Sequence, residues 1–257
     1  MAKISALVIS HNSEQTLAAC LKSVAFADEV VVVDLASSDA STSIARSQNA
    51  KVIERAPVSH VELIRNETIA ATKHEWVILL DADEELSEGA AKTCRAIAEK
   101  PRSESAAAYQ LPRKHLVFNK WLKHSGWWPD YQTRFFQRDA VQWSGKINEP
   151  PVVQGELKRF EFQEAQAIVH HHYYSLDDYL DRLRRYTAAE VTSKQQVTPT
   201  PDHIFQAFFA DFFRRYYQDD GWRDGQHGLV MAMMQGMYQS VVQMRAWESA
   251  GFPESRK

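Results

Sequence analysis

Glycine is scarce in this sequence, and the first 88 residues contain none. The chain has nine glycines in 257 residues, and the first of them is Gly89. A GxGxxG dinucleotide-binding turn or a Walker A loop needs glycines beside an N-terminal strand, so neither motif occurs in this part of the chain. Any phosphate group bound there must contact a metal ion, a cationic side chain or a helix N-terminus.

Cysteine, long apolar runs and an excess of charge are lacking as well. Cys20 and Cys94 have no CxxC spacing, which argues against a zinc or redox site and favours a reducing compartment. No apolar run approaches the roughly 20 residues of a membrane-spanning helix, and the N-terminus lacks a signal-peptide pattern. The 30 Lys and Arg nearly balance the 33 Asp and Glu, without the basic field of nucleic-acid-binding proteins. We therefore expect a cytoplasmic protein that binds no nucleic acid.

The first hundred residues alternate short apolar runs with helical patterns. The predicted strands cover residues 4–10, 29–34, 51–56 and 76–80, and the predicted helices cover 14–25, 41–49, 61–72 and 88–99. This alternation is typical of an α/β fold in which crossover helices join mostly parallel strands. Ligands of such sheets bind beyond the carboxyl ends of the strands, where this sequence has Asn12, Asp34, Asp81 and Asp83.

The middle of the chain is rich in tryptophan and cations. Residues 100–138 contain eight Lys or Arg against Glu104 and Asp130, a local excess of six positive charges. A run of charge is most often a solvated surface. Cations interleaved with Trp121, Trp127 and Trp128 also suit a ligand that carries sugar rings and anionic groups.

The sequence beyond residue 175 is helical in pattern, with predicted helices at 176–194, 203–217 and 228–247. One of these helices has a broad aromatic face, made of Phe205, Phe208, Phe209, Phe212, Phe213, Tyr216 and Tyr217. Two interpretations of this face stay open. It packs in a core or against another helix, or it lies in a lipid headgroup layer where Arg214, Arg215 and Arg223 meet anionic lipid.

Asp81 and Asp83 form a DxD motif directly after the apolar strand 76–80. Residues two apart on an extended chain point to the same side, so both carboxylates can share a divalent cation. Such a cation neutralises the charge of a departing nucleoside diphosphate without proton transfer. The alternative is a solvated turn or a helix cap. Glu84 and Glu85, which follow, are expected only to favour the N-terminus of the next helix.

The order of several motifs resembles family 2 glycosyltransferases with the GT-A fold, in particular bacterial lipopolysaccharide inner-core glucosyltransferases that add a β-linked glucose to heptose. The matching segments are 4–12, 29–39, Arg65-Asn66, 81–84, 126–130, 134–136, Asn148-Glu149, His170, 221–225 and Trp247-Glu248. The resemblance implies a catalytic domain over 1–175, with a nucleotide-sugar half (1–100) and an acceptor half (101–175). Residues 176–257 form a helical extension that contacts the membrane in this interpretation.

The resemblance also implies roles on the donor side. Asp34 matches a carboxylate that accepts a hydrogen bond from uracil, and Asn12 lies in the same nucleotide-binding region. Asp39 either caps a helix or contacts the nucleotide. Arg65 matches a position near the nucleotide and donor sugar, and its alternative is a surface ion pair with Glu62 or Glu67.

Asp81 and Asp83 match the ribose and metal contacts of the family, with Mg²⁺ or Mn²⁺ as the cofactor. His170 matches a position that completes metal coordination in some members, and its alternative is a packed edge residue. Three consecutive histidines, 170–172, do not all face one ion, because alternate residues of an extended segment point in opposite directions.

An inverting transferase needs a base to take the proton of the attacking acceptor hydroxyl. Glu149 is the predicted base, and Asn148 stands where the family commonly has histidine. Asp130 is the second candidate base, although the resemblance favours it for acceptor recognition. The other predicted acceptor contacts are Trp127, Trp128, Arg134, Lys120 and Lys123.

The sequence thus predicts an inverting, metal-dependent glycosyltransferase that moves a hexose, glucose from UDP-glucose, to a heptose of the lipopolysaccharide core. It would act at the cytoplasmic face of the inner membrane as a peripheral protein. Two alternatives stay open: the same chemistry on a protein or another polysaccharide, and a non-catalytic nucleotide-sugar-binding protein. A nucleotidyltransferase is disfavoured, since the N-terminal glycine-rich loop is absent.

Overall fold

Apolar segments near the N-terminus form four parallel strands in the computed structural model, which describes residues 2–146, 149–193 and 199–253. These strands are β1 (Ile4–Ser10), β2 (Glu29–Asp34), β3 (Lys51–Glu54) and β4 (Trp76–Asp81). β1 pairs with β2 on one side and with β4 on the other, and β3 pairs with β2. β1 is buried along its whole length, as expected of a central strand covered on both faces.

Four helices follow these strands as predicted, with shorter bounds. They are α1 (Leu17–Ser23), α2 (Ser41–Ser47), α3 (Arg65–Ala70) and α4 (Glu88–Ala98). α1 begins later than predicted because the preceding residues form a turn, in which the Leu17 N–H donates to the Ser13 carbonyl at 2.9 Å. The predicted helix 61–72 is divided into a 3-10 turn, Val61–Leu63, and α3.

The described chain after β4 contains eight more strands, six of which complete the main sheet, largely by antiparallel pairing, while Val141–Gln142 and Val152–Val153 pair in a separate two-stranded sheet. The eight strands are β5 (Glu84–Leu86), β6 (Ala108–Val117), β7 (Lys120–Trp121), β8 (Asp130–Gln137), β9 (Val141–Gln142), β10 (Val152–Val153), β11 (Leu157–Arg159) and β12 (Ile168–Tyr173). The main sheet has the order β3-β2-β1-β4-β8-β6-β12-β5, and β8 is antiparallel to both β4 and β6. The predicted α/β fold is confirmed.

Aromatic side chains fix the register where the parallel and antiparallel parts of the sheet meet. The rings of Trp76 on β4 and Phe135 on β8 stack with centroids 4.7 Å apart. Tyr109 on β6 extends the cluster, with its ring centroid 6.0 Å from that of Phe135. Trp76 and Phe135 are completely buried. This close-packed aromatic cluster therefore limits the motion of β4 and β8 next to the residues at their ends.

The described residues pack as two compact units. The first contains 2–114 and 129–171, and the second contains 115–128 and 172–253. This grouping describes packing alone, and the predicted domains 1–175 and 176–257 stay a prediction. Among the described residues, no helix combines the length and the apolar composition that crossing a bilayer requires.

The second unit contains three long helices, α5 (Leu176–Ser193), α6 (Pro201–Phe213) and α7 (Gln226–Ser249). α6 and α7 approach closely because α7 has small residues at the contact. A Cβ atom on Gly236 would lie 2.9 Å from the Phe208 carbonyl oxygen, and the Ser240 hydroxyl donates to the Ile204 carbonyl at 3.0 Å.

The aromatic face of α6 is divided between packing and exposure. Phe208 packs against Gly236, which supports helix-pair packing for this side of the helix. Phe205, Phe209, Phe213 and Tyr217 form an exposed row at intervals of four residues, with successive ring centroids 4.4, 6.0 and 5.6 Å apart. We call these four side chains the aromatic row. Both interpretations of the face therefore retain support.

Replacing Phe135 with alanine tests the aromatic base of the sheet. We expect Phe135→Ala to lower the free energy of unfolding by about 3–5 kcal/mol, because it removes a fully buried ring and leaves a cavity. Urea denaturation followed by circular dichroism measures this change. Phe162→Ala is the matched control, since Phe162 is 59% exposed, and a loss of equal size in both variants would contradict the assignment.

Candidate functional site

The parallel strands bring three predicted site residues to one edge of the sheet. Asp34 is paired in register with Ser10 at the end of β1, and Asp81 is paired with Ile9 on the other side of the same strand. Asn12 follows β1 in the loop between these two positions in the strand order. The acidic side chains predicted to share a ligand therefore come from the two strands that flank β1 in the first unit.

Asp34 is buried and has one oxygen without a protein partner. Its side chain is 2% exposed, and its Oδ2 atom accepts a hydrogen bond from the Ser37 N–H at 2.9 Å. Its Oδ1 atom is buried and accepts no hydrogen bond from the described residues. A buried acceptor without a donor is unfavourable in a folded protein. This oxygen can therefore accept a hydrogen bond from a ligand N–H.

Asn12 joins the loops that follow β1 and β2. Its φ angle of 48° is in the left-handed region, which asparagine tolerates better than most residues. The Asn12 N–H donates to the Ser37 hydroxyl oxygen, and the Asn12 Oδ1 atom accepts from the Ser38 N–H, both at 2.8 Å. The exposed Asn12 thus holds the loop that Asp34 begins.

Asp39 has a capping contact. Its Oδ1 atom accepts from the Ser41 N–H at the start of α2 at 2.9 Å, and its Oδ2 atom accepts from the Glu14 N–H at 3.0 Å. Burial raises the pKa of Asp39, but these hydrogen bonds outweigh burial and lower it below its ordinary value. The capping interpretation is therefore supported, and a nucleotide contact of Asp39 stays a prediction.

Asp81 lies between two arginines. Arg134 Nη2 donates to Asp81 Oδ2 at 2.6 Å, and Arg65 Nη2 lies 3.6 Å from Asp81 Oδ1. Burial raises the pKa of Asp81, but the charges of Arg134 and Arg65 outweigh burial and hold it well below its usual range. Arg65 is itself buried, so its predicted alternative, a surface ion pair with Glu62 or Glu67, is wrong. Glu67 instead pairs with Arg55.

Glu84 is a buried charge partner and not simply a residue that favours a helix N-terminus, which corrects the sequence prediction. Its side chain is 0% exposed, and its Oε1 atom accepts from Arg134 at 2.7 Å and from Arg113 at 3.0 Å. Its Oε2 atom accepts from the Asp81 N–H at 3.1 Å. Sequence reasoning did not find Glu84 or Arg113, because their pairing depends on the register of β5, β6 and β8.

Asp130 begins β8 and is held by a two-pronged ion pair. Arg113 donates to Asp130 Oδ2 from Nε at 2.8 Å and from Nη2 at 2.6 Å, while Gln132 donates to Oδ1 at 2.8 Å. Burial lowers the pKa of Arg113, but Glu84 and Asp130 outweigh burial and raise it. A carboxylate fixed by a permanent cation suits recognition better than proton abstraction.

Asp83 has a different partner from Asp81. Its Oδ2 atom lies 3.5 Å from His170 Nε2, and its carbonyl oxygen accepts from the His171 N–H at 2.9 Å. β12 and β5 are antiparallel neighbours, with His170 opposite Glu84. His171 forms a 2.6 Å contact with Glu85 instead. The two histidines thus have separate partners, as the extended geometry predicts, while Asp81 contacts arginines and Asp83 contacts His170.

Glu149 lies in an exposed loop that is anchored to α3. Asn66 joins the two through a reciprocal pair with the Trp143 backbone, in which Oδ1 accepts from N–H at 2.9 Å and Nδ2 donates to the carbonyl at 2.8 Å. Glu149 accepts from the Ser144 hydroxyl and lies 3.7 Å from Lys146 Nζ. Across residues 2–146 and 149–193, no hydrogen bond or ion pair joins Glu149 to Asp81, Asp83 or Asp130. Asn148 lies outside the described residues.

Four predicted acceptor contacts belong to the second unit. Trp127 is a buried side chain of that unit's core, with the Arg215 guanidinium 5.6 Å from its ring centroid. Lys120 Nζ donates to the Asp224 carbonyl at 2.7 Å, and Lys123 Nζ lies 4.2 Å from the centroid of Trp121. The acceptor roles of Trp127, Trp128, Lys120 and Lys123 stay a prediction.

Half of the cations in residues 100–138 are paired with carboxylates. Arg102 pairs with Asp139, Lys114 with Glu164, Arg113 with Glu84 and Asp130, and Arg134 with Asp81 and Glu84. The excess of six positive charges read from the sequence is therefore largely compensated by acids that the fold brings from outside the segment. Arg134, predicted to bind the acceptor, is buried and pairs with the donor-side Asp81. Its acceptor role stays a prediction.

Comparison with known proteins identifies the family. Residues 5–150, more than half of the chain, match the model of glycosyl transferase family 2. The chain belongs to this family.

An uncharacterized glycosyltransferase of Rickettsia bellii is 31% identical to this family 2 glycosyltransferase over 150 residues, which are 57% of this chain and 50% of that protein. A TPR repeat-containing protein of Synechococcus elongatus is 32% identical over 124 residues, 45% of this chain and 31% of that protein. The chain spans half or less of the length of these curated relatives.

Solved structures similar to this family 2 glycosyltransferase align at low scores. Residues 1–349 of S. aureus TarS, in complex with UDP, are 14% identical, with 99% of this chain and 93% of that chain covered and a TM-score of 0.46. Glucosyl-3-phosphoglycerate synthase from Mycobacterium tuberculosis, in complex with Mn²⁺, UDP and glucosyl-3-phosphoglycerate, is 23% identical. That match covers 32% of this chain and 34% of the other, with a TM-score of 0.27.

The ion pairs of Asp81 predict a loss of stability in acid. Because the folded pKa of Asp81 is depressed, its ionised form stabilises the fold above its ordinary pKa of 3.8, and this contribution is lost as the pH falls through the lower folded value. Replacing Asp81 with asparagine is expected to lower the unfolding free energy by about 1–3 kcal/mol at pH 7. The difference between the two proteins should shrink below about pH 4, as measured by urea denaturation at several pH values. A difference that grows toward low pH would contradict the ion-pair assignment.

Proposed function

We propose that this family 2 glycosyltransferase is an inverting enzyme that transfers glucose from UDP-glucose to a heptose of the lipopolysaccharide core. The observation that carries this proposal is the position of Asp34 and Asp81 at the carboxyl ends of the two strands that flank β1, with Asp83 two residues after Asp81 and with one buried Asp34 oxygen that has no hydrogen-bond partner among the described residues. Family membership supplies the reaction class, and the geometry supplies a polar site of matching chemistry.

The donor side is proposed to bind the nucleotide through Asp34 and Arg65. The Asp34 Oδ1 atom would accept the N–H of a uracil ring, which satisfies a buried oxygen. Arg65 would contact the diphosphate, since its Nε atom is buried and has no hydrogen-bond partner among the described residues. Its guanidinium lies 5.5 Å from the Trp143 ring centroid, which limits its motion. Asn12 and Asp39 would shape this half of the site through their loop contacts.

The residues around Asp83 fit a divalent cation. A carboxylate and an imidazole suit Mn²⁺, and the carboxylate also suits Mg²⁺. Asp83 Oδ2 and His170 Nε2 offer these two groups 3.5 Å apart. Asp83 and His170 would therefore hold the ion, and a metal contact of Asp81, which is paired with Arg134 and Arg65, stays a prediction. The bound cation would supply neutralisation of the charge on the departing diphosphate.

Glu149 is proposed as the general base. The acceptor hydroxyl oxygen forms a bond to the anomeric carbon while the bond from that carbon to the diphosphate oxygen breaks, and Glu149 takes the hydroxyl proton. Ser144 and Lys146 contact Glu149 and orient its carboxylate. Asp130 is the weaker candidate base, because Arg113 and Gln132 occupy its oxygens. We assign Asp130 to recognition of the acceptor.

A second candidate function keeps the chemistry and changes the acceptor to a protein or another polysaccharide. The pairing of Arg102, Arg113, Lys114 and Arg134 with carboxylates favours it, since these cations are compensated within the chain. A third candidate, non-catalytic binding of a nucleotide sugar, predicts UDP binding without turnover. Acceptor-dependent release of UDP from UDP-glucose, measured with a heptose-containing core oligosaccharide and with uncharged oligosaccharides, distinguishes the three.

Removal of the Asp83 carboxylate tests the metal assignment. We expect Asp83→Ala to abolish metal-dependent turnover of UDP-sugar and to leave thermal unfolding nearly unchanged, because Asp83 lies in a turn at the sheet edge. Isothermal titration with UDP, with and without Mn²⁺, should show a cation-dependent gain in affinity for the original protein only. Unchanged turnover in EDTA would contradict metal dependence.

Neutralisation of Glu149 tests the base. Glu149→Gln should leave UDP affinity within about twofold and slow acceptor-dependent transfer by about 10² or more, since the variant cannot accept the proton. Glu161→Gln is a control, because Glu161 is an exposed glutamate of the same unit. If Glu149→Gln weakens UDP binding and transfer equally, the base assignment is wrong.

We propose that the aromatic row contacts the cytoplasmic face of the inner membrane. Three exposed rings on α6 and a fourth on the π-helical segment Arg214–Gln218 that follows it are an unusual surface for water. The cations predicted to meet anionic lipid are paired, Arg214 with Asp219, Arg215 with Asp211 and Arg223 with Asp220. An apolar contact thus explains peripheral attachment better than a charge contact.

Vesicle binding tests this membrane proposal. Co-sedimentation with neutral phosphatidylcholine vesicles should fall about tenfold or more in Phe209→Asp, because a charge replaces a ring in the apolar layer. Adding anionic lipid should change binding of the original protein by less than about threefold. Ala210→Asp is the control for charge on the same helix. Binding that needs anionic lipid, or equal loss in both variants, would overturn the aromatic contact.

A further inference from the structure

Glu84 lies where two arginines from neighbouring strands meet. Arg134 on β8 and Arg113 on β6 both donate to the same oxygen, Glu84 Oε1, at 2.7 and 3.0 Å. The second oxygen accepts from the Asp81 N–H at 3.1 Å. Both carboxylate oxygens are therefore occupied by groups of the protein. Glu84 has no accessible surface and cannot contact a substrate.

Each of the two arginines that contact Glu84 also contacts a second carboxylate, and the two second carboxylates are different. The Arg134 Nη2 atom also donates to Asp81 at 2.6 Å, on the proposed donor side. Arg113 also donates to Asp130 through two nitrogens, on the proposed acceptor side. Arg65 lies beside Asp81, so three arginines and three carboxylates alternate, and neighbours in this series always carry opposite charges. We call this sequence of ion pairs the charge chain; its members are Arg65, Asp81, Arg134, Glu84, Arg113 and Asp130.

Burial makes the geometry of the charge chain specific. Removing an ion from water is unfavourable by several kcal/mol unless partners replace the lost solvation. Arg113 meets Asp130 with two nitrogens of its planar fork and fixes the orientation of that carboxylate, whereas Arg134 reaches both Asp81 and Glu84 through Nη2 alone. A free arginine side chain would lose rotamer freedom on being ordered by a ligand. Glu84 orders both arginines before any ligand binds.

We infer that Glu84 is a positioning residue that aligns Asp81 for the donor through Arg134 and Asp130 for the acceptor through Arg113. This inference rests on the proposed function for its two substrates. It makes Arg113 an acceptor-side positioning residue and Arg134 a donor-side one. Arg134 and Arg113 contact the same oxygen of Glu84 but lead to different substrates. Substitution of Arg134 should therefore change donor binding, and substitution of Arg113 should change the acceptor KM.

Three substitutions give three different outcomes. Arg113→Lys keeps the charge and loses the fork at Asp130, so the acceptor KM should rise about fivefold or more while the Kd for UDP stays within about twofold. Arg134→Lys should raise the Kd for UDP with Mn²⁺ by about fivefold or more and leave the acceptor KM within about twofold. Glu84→Gln should change both, because both arginines lose their common anion.

The experiment measures UDP binding with Mn²⁺ by calorimetry and acceptor KM with a heptose-containing core oligosaccharide. Lys114→Met is the matched control: it breaks the Lys114–Glu164 ion pair on the same strand, next to Arg113. It should change neither constant by more than about twofold. Uniform losses in all variants, or the same division of effects in Lys114→Met, would overturn the inference.

A readout without substrate separates this inference from the proposed function. In carboxyl-carbon NMR spectra, Arg113→Lys should shift the Asp130 resonance and leave that of Asp81 unchanged. Arg134→Lys should shift the Asp81 resonance and leave that of Asp130 unchanged. Glu84→Gln should shift both resonances. If Glu84→Gln does not fold, the resonance shifts in Arg113→Lys and Arg134→Lys still test the inference. Failure of the original protein to bind UDP or release it would reject the proposed function, whereas shifts without this pattern would reject the positioning role of Glu84.

Discussion

The ion pairs around Glu84 are the constraint on which the rest of the site depends. A carboxylate without solvent access, Glu84, is held by two guanidinium groups, and each of these holds a second carboxylate. Neither charge sign is left in excess along the charge chain, which is the condition for burying it. The strands β5, β6 and β8 must keep their register for these contacts to form. The aromatic stack of Trp76 and Phe135 packs β8 against β4, and Tyr109 on β6 lies beside it.

The donor edge of the sheet combines satisfied and unsatisfied polar groups. Asn12, Ser37 and Ser38 close the loops after β1 and β2 with short hydrogen bonds. Asp34 Oδ1, Asp81 Oδ1 and Arg65 Nε are buried and accept or donate no hydrogen bond among the described residues. Polar groups left in this state are typical of sites that a ligand completes, because the fold spends stability on preorganisation. Family membership and these groups together point to a nucleotide sugar.

Much of this site could be predicted from local patterns. The valine and isoleucine runs predict β1, β2 and β4, and a carboxylate directly after a buried parallel strand falls at the ligand edge. Asp34 and Asp81 both lie at this edge, at the ends of the strands that flank β1. The separate partners of His170 and His171 also follow from the two-residue period of a strand. These inferences need only the neighbours of each residue in sequence.

Long-range pairing could not be predicted in the same way. Arg113, Arg134 and Glu84 are far apart in sequence and meet through antiparallel registers that no local pattern specifies. The cation-rich segment therefore suggested an anionic ligand, although acids such as Glu164 compensate it in the fold. Trp127, a predicted acceptor contact, is buried in the core of the second unit, and its acceptor role stays a prediction. Composition gives only the number of charged and aromatic side chains. Function depends on which of these side chains the fold leaves without a partner.

The most direct measurement is a crystal structure of the protein with UDP and Mn²⁺ bound. The account predicts the uracil ring N–H on Asp34 Oδ1, the diphosphate beside Arg65, and the cation bound by Asp83 and His170. It also predicts that Glu84 keeps both arginines. Nucleotide bound away from the ends of β1, β2 and β4, or a cation without Asp83 among its ligands, would contradict the central claim.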